Sequence, residues 1–135
     1  MSPSTLIKRL AASVLLLCSV LKAEDLYVRP SHTSGAHTGA DWTNAWNGFS
    51  DVKWGPGAGM VGPGDTLWVA GGTYTTQLLV GTNGASGSRI TINRVLASDA
   101  VPVAAAGWIS SLDSQVVIDA GRVPVDELVR ARLQR

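Results

Sequence analysis

Five short apolar triplets set the main constraint on what this chain can fold into. They are Leu67-Trp68-Val69, Leu78-Leu79-Val80, Ile90-Thr91-Ile92, Val101-Pro102-Val103 and Val116-Val117-Ile118. Runs this short, bounded by turn-forming residues and rich in β-branched side chains, read as strands rather than helices. Their separations repeat. Leu67 to Ile90 and Leu78 to Val101 are both 23 residues, and Ile90 to Val116 is 26. Two interleaved series with one step predict an internal repeat of about 23 residues. Glycine-rich stretches at 70–73 and 81–87 separate the triplets. A solenoid of stacked β coils and a β-sandwich both satisfy this spacing, which by itself leaves the two open.

Residues 25–64 have a different texture. Leu26-Tyr27-Val28 is a strand-like run stopped by Pro30, and a polar loop containing His32 and His37 follows it. Trp42, Trp46 and Phe49 then occur at offsets of four and three. That spacing predicts a short helix with all three rings on one face and Asp41 as its N-cap. Pro63-Gly64 is what a type II turn requires, since proline presets the first central residue and glycine supplies the positive φ.

The first 23 residues read as a secretory signal peptide. Lys8 and Arg9 precede the apolar run 10–21, and Ala23 offers a small residue for cleavage. Twelve apolar residues rise only about 18 Å as a helix, too short to anchor in a core of about 30 Å. The sole cysteine, Cys18, lies in this run, and Leu17 before it is too bulky for a lipoprotein signal. The mature chain then has no disulfide framework, thiolate metal site or cysteine nucleophile. Without Lys8, Arg9 and Lys22, eight basic residues face ten acidic ones, a balance of −2. That excludes a nucleic-acid-binding basic domain, and 45% hydrophobic residues exclude wholesale disorder. The expected location is secreted, periplasmic or at the cell surface, with no membrane partner after cleavage.

Several segments taken together resemble a known superfamily. In order they are Leu26-Tyr27-Val28-Arg29-Pro30, Asp41-Trp42 with Trp46, the run 62–69 beginning Gly62-Pro63-Gly64-Asp65, Gly72-Thr73-Tyr74, the run 87–92, and Val116-Val117-Ile118-Asp119. This succession resembles the N-terminal region of secreted right-handed parallel β-helix proteins of the pectate lyase-like superfamily. The resemblance implies an all-β solenoid in which residues 24–64 form a capping strand and helix and residues 65–120 form the first coils. It also implies an association with extracellular polysaccharide. Superfamily members include lyases, hydrolases, epimerases and adhesins, so the resemblance is specific for fold and weak for activity.

The chain departs from that pattern in length. Residues 65–120 hold only two to three coils, and an open last coil invites self-association. Residues 121–135 read as a helical tail, with Pro124 at its start, acids early and arginines late. This tail is either a lid or foreign to the fold, the mark of a truncated chain. Family lyases use Ca²⁺ and a basic residue on middle coils, and family hydrolases use carboxylate pairs there. None of those positions is present, so no catalytic residue is carried over, and the chain alone is expected to be inactive. A full-length relative would be a polysaccharide lyase or glycoside hydrolase. The competing reading is a non-enzymatic adhesive or carbohydrate-binding module, or an inert remnant.

The candidate binding residues are Trp54, Trp42 and Trp46, whose faces would match the C–H face of a sugar ring; for Trp54, cap packing competes with that role. Asp65 is expected to bond nearby backbone N–H groups at its turn. Asp99, Asp113 and Asp119 lie near strand ends, but no Asp-rich loop supports a Ca²⁺ site. His32 and His37 have no acidic neighbour at metal-ligand spacing and read as solvated loop histidines. Neither a cofactor nor a metal is assigned to this chain.

Overall fold

The structure, a computed structural model, describes residues 22–121. The expected leader, apart from Lys22 and Ala23, and the helix expected from Pro124 onward lie outside them. Six strands are present among the described residues: β1 (Asp25–Arg29), β2 (Trp46–Asn47), β3 (Thr66–Val69), β4 (Gly72–Tyr74), β5 (Thr91–Arg94) and β6 (Val116–Ile118). Helical structure among the described residues consists of α1 (Ala100–Ala104) and two 3-10 turns, Phe49–Asp51 and Ser110–Leu112. One sheet has the order β2-β1-β3-β5 and a second pairs β4 with β6. All of these pairings are parallel. The chain is therefore mainly β, with two small open sheets.

Strand parity divides the core. Leu26 and Val28 of β1 share a face with Leu67 and Val69 of β3, and this face packs with Trp46, Phe49, Val61 and Tyr74. Tyr27 and Trp68 point the other way, toward Trp42, Val95, Leu112 and Trp108. Successive side chains of a strand alternate between faces, so β1 feeds both clusters. Each fully buried large side chain contributes about 1.5–3 kcal/mol. The cluster around Leu26 and Trp46 is the inner one and that around Tyr27 and Trp42 the outer; the outer cluster is tied to a distant segment by the Trp42 indole, whose Nε1–H donates to the Pro102 carbonyl at 2.6 Å.

The expected helix over Trp42, Trp46 and Phe49 is absent. Asp41 does close a turn, accepting the Asn44 N–H at 2.8 Å, but the chain then enters β2. Trp46 pairs with Val28 across the ladder, which sends it to the inner cluster while Trp42 goes to the outer one. Offsets of four and three are helix-like on paper; pairing with β1 wins because it satisfies the backbone and buries both indoles. Residues 25–64 thus supply two strands and connecting loops rather than a strand and a helix.

The expected repeat of 23 residues is also corrected. Thr66 pairs with Thr91 and Leu67 with Ile92, a step of 25. Residues 78–80 form no strand. Val101-Pro102-Val103 lies in α1, where Pro102 sits in the first turn and its missing N–H has no intrahelical partner to lose. In a ladder the same proline would break pairing. The type II turn is present: Gly64 has φ +88°, and the Asp65 N–H donates to the Gly62 carbonyl at 3.1 Å. Asp65 is buried, and its carboxylate accepts the backbone N–H groups of Glu24 and Gly62, each at 2.8 Å. This carboxylate joins the first residues of the described chain to the turn that launches β3.

Candidate functional site

A polar groove runs beside the end of β2. One part, a cavity of about 370 Å³, is lined by His37, Asn47, Ser50 and Asp51. A second part of about 370 Å³ also contacts Asn47 and Ser50, and is lined further by the hydroxyls of Ser31, Thr33, Thr73, Thr75 and Thr76. Asn47 and Ser50 border both parts of the groove. Its floor includes Tyr74, which stacks on Phe49 with centroids 3.9 Å apart and planes 7° from parallel. The Tyr74 hydroxyl is directed inward, 2.7 Å from the Ala70 carbonyl and 3.2 Å from that of Val28. Burial holds its pKa well above the ordinary tyrosine value, and Arg29 opposes that shift only partly. The same burial lowers the pKa of Arg29.

The local sequence explains the groove's shape. Gly48 adopts φ +77° immediately after β2 and turns the chain into the 3-10 turn Phe49–Asp51. That turn brings the Asp51 carboxylate back to accept the Asn47 N–H at 3.1 Å. The opposing wall is the loop after β1, where Ser31 and His37 adopt positive φ values of 52° and 51°. Non-glycine residues in this region are uncommon and cluster at sites held by surrounding structure. Gly35 in the same loop approaches the Thr43 carbonyl so closely that a Cβ would sit 2.1 Å from its oxygen. Two contacts fix the loop to β2 and its approach: the His32 N–H donates to Asn47 Oδ1 at 2.8 Å, and His32 Nε2 bonds the Thr43 carbonyl at 3.0 Å. Because a carbonyl only accepts, that bond requires the proton on Nε2.

The two histidines differ from their sequence reading. His32 is buried and serves as a structural tie. His37 lines the groove, and its Nδ1 is shielded from solvent without a hydrogen-bond partner, 3.8 Å from Asp51 Oδ2. The acidic neighbour missing from the local sequence is thus supplied by a residue fourteen positions away.

Of the indoles proposed for sugar contact, Trp42 and Trp46 are fully buried and present no face to solvent. Trp54 is half-buried against the inner cluster, and Gly81 leaves room for its ring, since a Cβ there would lie 2.9 Å from it. The three do not converge. Asp99 and Asp113 are engaged in local bonds: Asp99 accepts the Leu96 N–H, and Asp113 binds Arg94 and the adjacent Ala97 N–H. Asp119 is exposed beyond β6. Among the described residues, no group of three or more His, Cys, Asp or Glu is placed to hold a metal ion. No helix among them is long and apolar enough to cross a membrane.

Sequence reasoning missed Asn47, Ser50 and Asp51 as a unit. Their common signal is the tertiary one, a β2 ladder followed by a glycine-driven reversal, and no spacing rule encodes it. The chain matches no protein-family model, no curated protein and no solved structure.

Proposed function

We propose that this chain is the beginning of a secreted right-handed parallel β-helix, similar to the pectate lyase-like superfamily, and that it binds extracellular polysaccharide without catalysing its cleavage. The observation that carries the fold reading is the double stacking: β5 lies on β3 in one sheet and β6 lies on β4 in another, both parallel and in chain order. Pairs of strands stacked one layer further along are what the coils of such a solenoid require; β3 and β4 are joined by a two-residue corner, whereas α1 and a 3-10 turn lie between β5 and β6. The polar groove supports the binding reading, because hydroxyl, amide and carboxylate groups on a largely preformed surface suit a hydroxyl-rich ligand. Affinity electrophoresis of the full chain through gels containing neutral or acidic polysaccharides tests the proposal. Retarded migration with no release of reducing or unsaturated ends is expected, whereas unretarded migration in every gel overturns it.

Self-association is the second reading, favoured by one observation. The outermost strands β5 and β6 expose Ile92, Val117 and Ile118 at the same side of the stack. An oligomer that dissociates when these residues become charged would support an adhesive module in place of a saccharide receptor.

A further inference from the structure

The groove beside β2 has a chemistry narrower than polysaccharide binding in general. Asn47 Oδ1 is occupied by the His32 N–H, which fixes the orientation of the amide. Its NH₂ group makes no hydrogen bond among the described residues, and Asn47 is exposed. Asp51 commits Oδ2 to the Asn47 N–H, while Oδ1 has no hydrogen-bonded partner among the described residues. An oriented donor and a charged acceptor therefore line one cavity, coupled through the Asn47 backbone. Adjacent hydroxyls on a sugar ring match this pair: one accepts from the amide while its neighbour donates to the carboxylate. The hydroxyls of Ser50, Thr73, Thr75 and Thr76 continue the surface for further sugar contacts.

Charge decides which sugars fit. Among the described residues, the lining of both parts contains no Lys or Arg, and Asp51 is its only carboxylate. A uronate would bring a second negative charge toward Asp51 with no Lys or Arg beside it and only the His37 imidazole, 3.8 Å from Asp51, as a titratable neighbour, and such repulsion is an effective element of specificity.

We infer that this groove is a subsite for the vicinal hydroxyls of a neutral sugar, held by the Asn47 amide and the Asp51 carboxylate, and that it discriminates against uronates. The inference rests on the polysaccharide-binding reading and specifies its ligand. It narrows the association with extracellular polysaccharide that the superfamily resemblance implies to neutral sugars.

Calorimetric titration of the full chain with cellohexaose, galactohexaose and hexagalacturonate tests it. At least one neutral oligomer is expected to bind, with hexagalacturonate weaker by about fivefold, the size of one exposed charge interaction. Asn47→Ala should weaken neutral binding about tenfold, in line with loss of one hydrogen bond. Asp51→Asn retains an oxygen for the Asn47 N–H, and should weaken neutral binding while narrowing the gap to hexagalacturonate. That narrowing is a relative gain, which a poorly folded variant does not mimic. Ser86→Ala, exposed in another loop, should change nothing. Hexagalacturonate binding as tightly as the neutral oligomers overturns the inference and leaves polysaccharide binding intact. So does neutral binding that ignores both Asn47→Ala and Asp51→Asn, since the saccharide then sits elsewhere. Failure of all three oligomers to bind overturns the inference, and if the polymer gels also give no retardation, the broader reading falls with it.

Discussion

Leu26, Leu67 and Ile92 stand in one row across β1, β3 and β5, with exposures of 2%, 0% and 37%. A second row contains Val28, Val69 and Arg94, and the other sheet sets buried Tyr74 beside Ile118, which is 52% exposed. The same register position is core at one end of the stack and surface at the other. Parity in a strand selects a face, but a following layer is needed to close it. At the β1 side, β2, the aromatic loop and the residues around Val61 provide that layer. At the β5 side all four strand residues are exposed, and their sequence has already shifted to Thr, Ile, Asn and Arg. Arg94 pairs with Asp113 at 3.0 Å, placing charge on a strand edge that is unpaired among the described residues, where it opposes uncontrolled pairing.

This contrast predicts unequal responses to substitution. The largest is expected at Trp42, whose ring lies 4.7 Å from Tyr27 and whose N–H reaches across to Pro102. Trp42→Ala should cost about 3–5 kcal/mol in urea unfolding, the range for truncating a buried aromatic residue. Trp42→Phe keeps most of the apolar contact but leaves the Pro102 carbonyl only its 3.3 Å bond from the Ala105 N–H, and should cost about 0.5–1.5 kcal/mol. Equal losses would show that the hydrogen bond dominates the anchor. A Trp42→Ala loss below about 1 kcal/mol would mean that the covered end is not a packed core at all.

Asp65 comes next. Asp65→Ala leaves the N–H groups of Glu24 and Gly62 without their carboxylate, and should lower stability by about 2–3 kcal/mol. Thermal unfolding of this variant, with hydrogen exchange at the Gly62 amide, separates a frayed turn from global loss. Fast exchange at Gly62 with an unchanged midpoint would make the turn a local feature and detach the first strand from the stack's stability.

These residues also show what was legible before the fold. Pro63, Gly64 and Asp65 encode their turn within four consecutive residues, so local chemistry suffices. The strands at 66–69 and 116–118 were legible from apolar, β-rich triplets, and that at 91–94 was displaced by only a residue or two. The triplets at 78–80 and 101–103 failed for different reasons. The first finds no ladder partner, and the second contains a proline compatible with a first helical turn. The three aromatics misled because helix-like offsets ignore the competing pull of β1 on Trp46. In the site, His37 was visible as a loop histidine, but Asp51 and Asn47 reach it only through the reversal at Gly48. Parallel pairing joins residues 18, 25, 41 or 44 positions apart, and no short window contains both partners.

A smaller effect concerns pH. Burial, and after it the carboxylates of Asp25 and Asp41, push the Tyr27 hydroxyl up to about 12. The unfolded chain releases this proton near the ordinary value of 10.0, so between those limits the folded state binds more protons. Stability is unaffected by this group below that window and falls as pH rises through it. The expected loss is on the order of 1 kcal/mol. Tyr74 acts in the same direction, so Tyr27→Phe should flatten the alkaline decline only in part. An unchanged decline in Tyr27→Phe would assign the whole effect to Tyr74 and the inner cluster.

The smallest expected effect is the most direct test of the contrast. Ile92→Ala should change stability by less than about 0.5 kcal/mol, as for other surface positions. Leu67→Ala, one layer away in the same row, should cost about 2–5 kcal/mol. The two variants remove similar hydrocarbon from neighbouring strands, so their difference isolates the contribution of the covering layer. If Ile92→Ala costs as much as Leu67→Ala, the open edge is covered in solution. Concentration then identifies the cover: a cost that grows with protein concentration marks a second copy, whereas a constant cost marks another part of the same chain. A small, concentration-independent change at Ile92 instead leaves β5 as a free edge, held apart from its neighbours by Arg94 and by the polar residues around it.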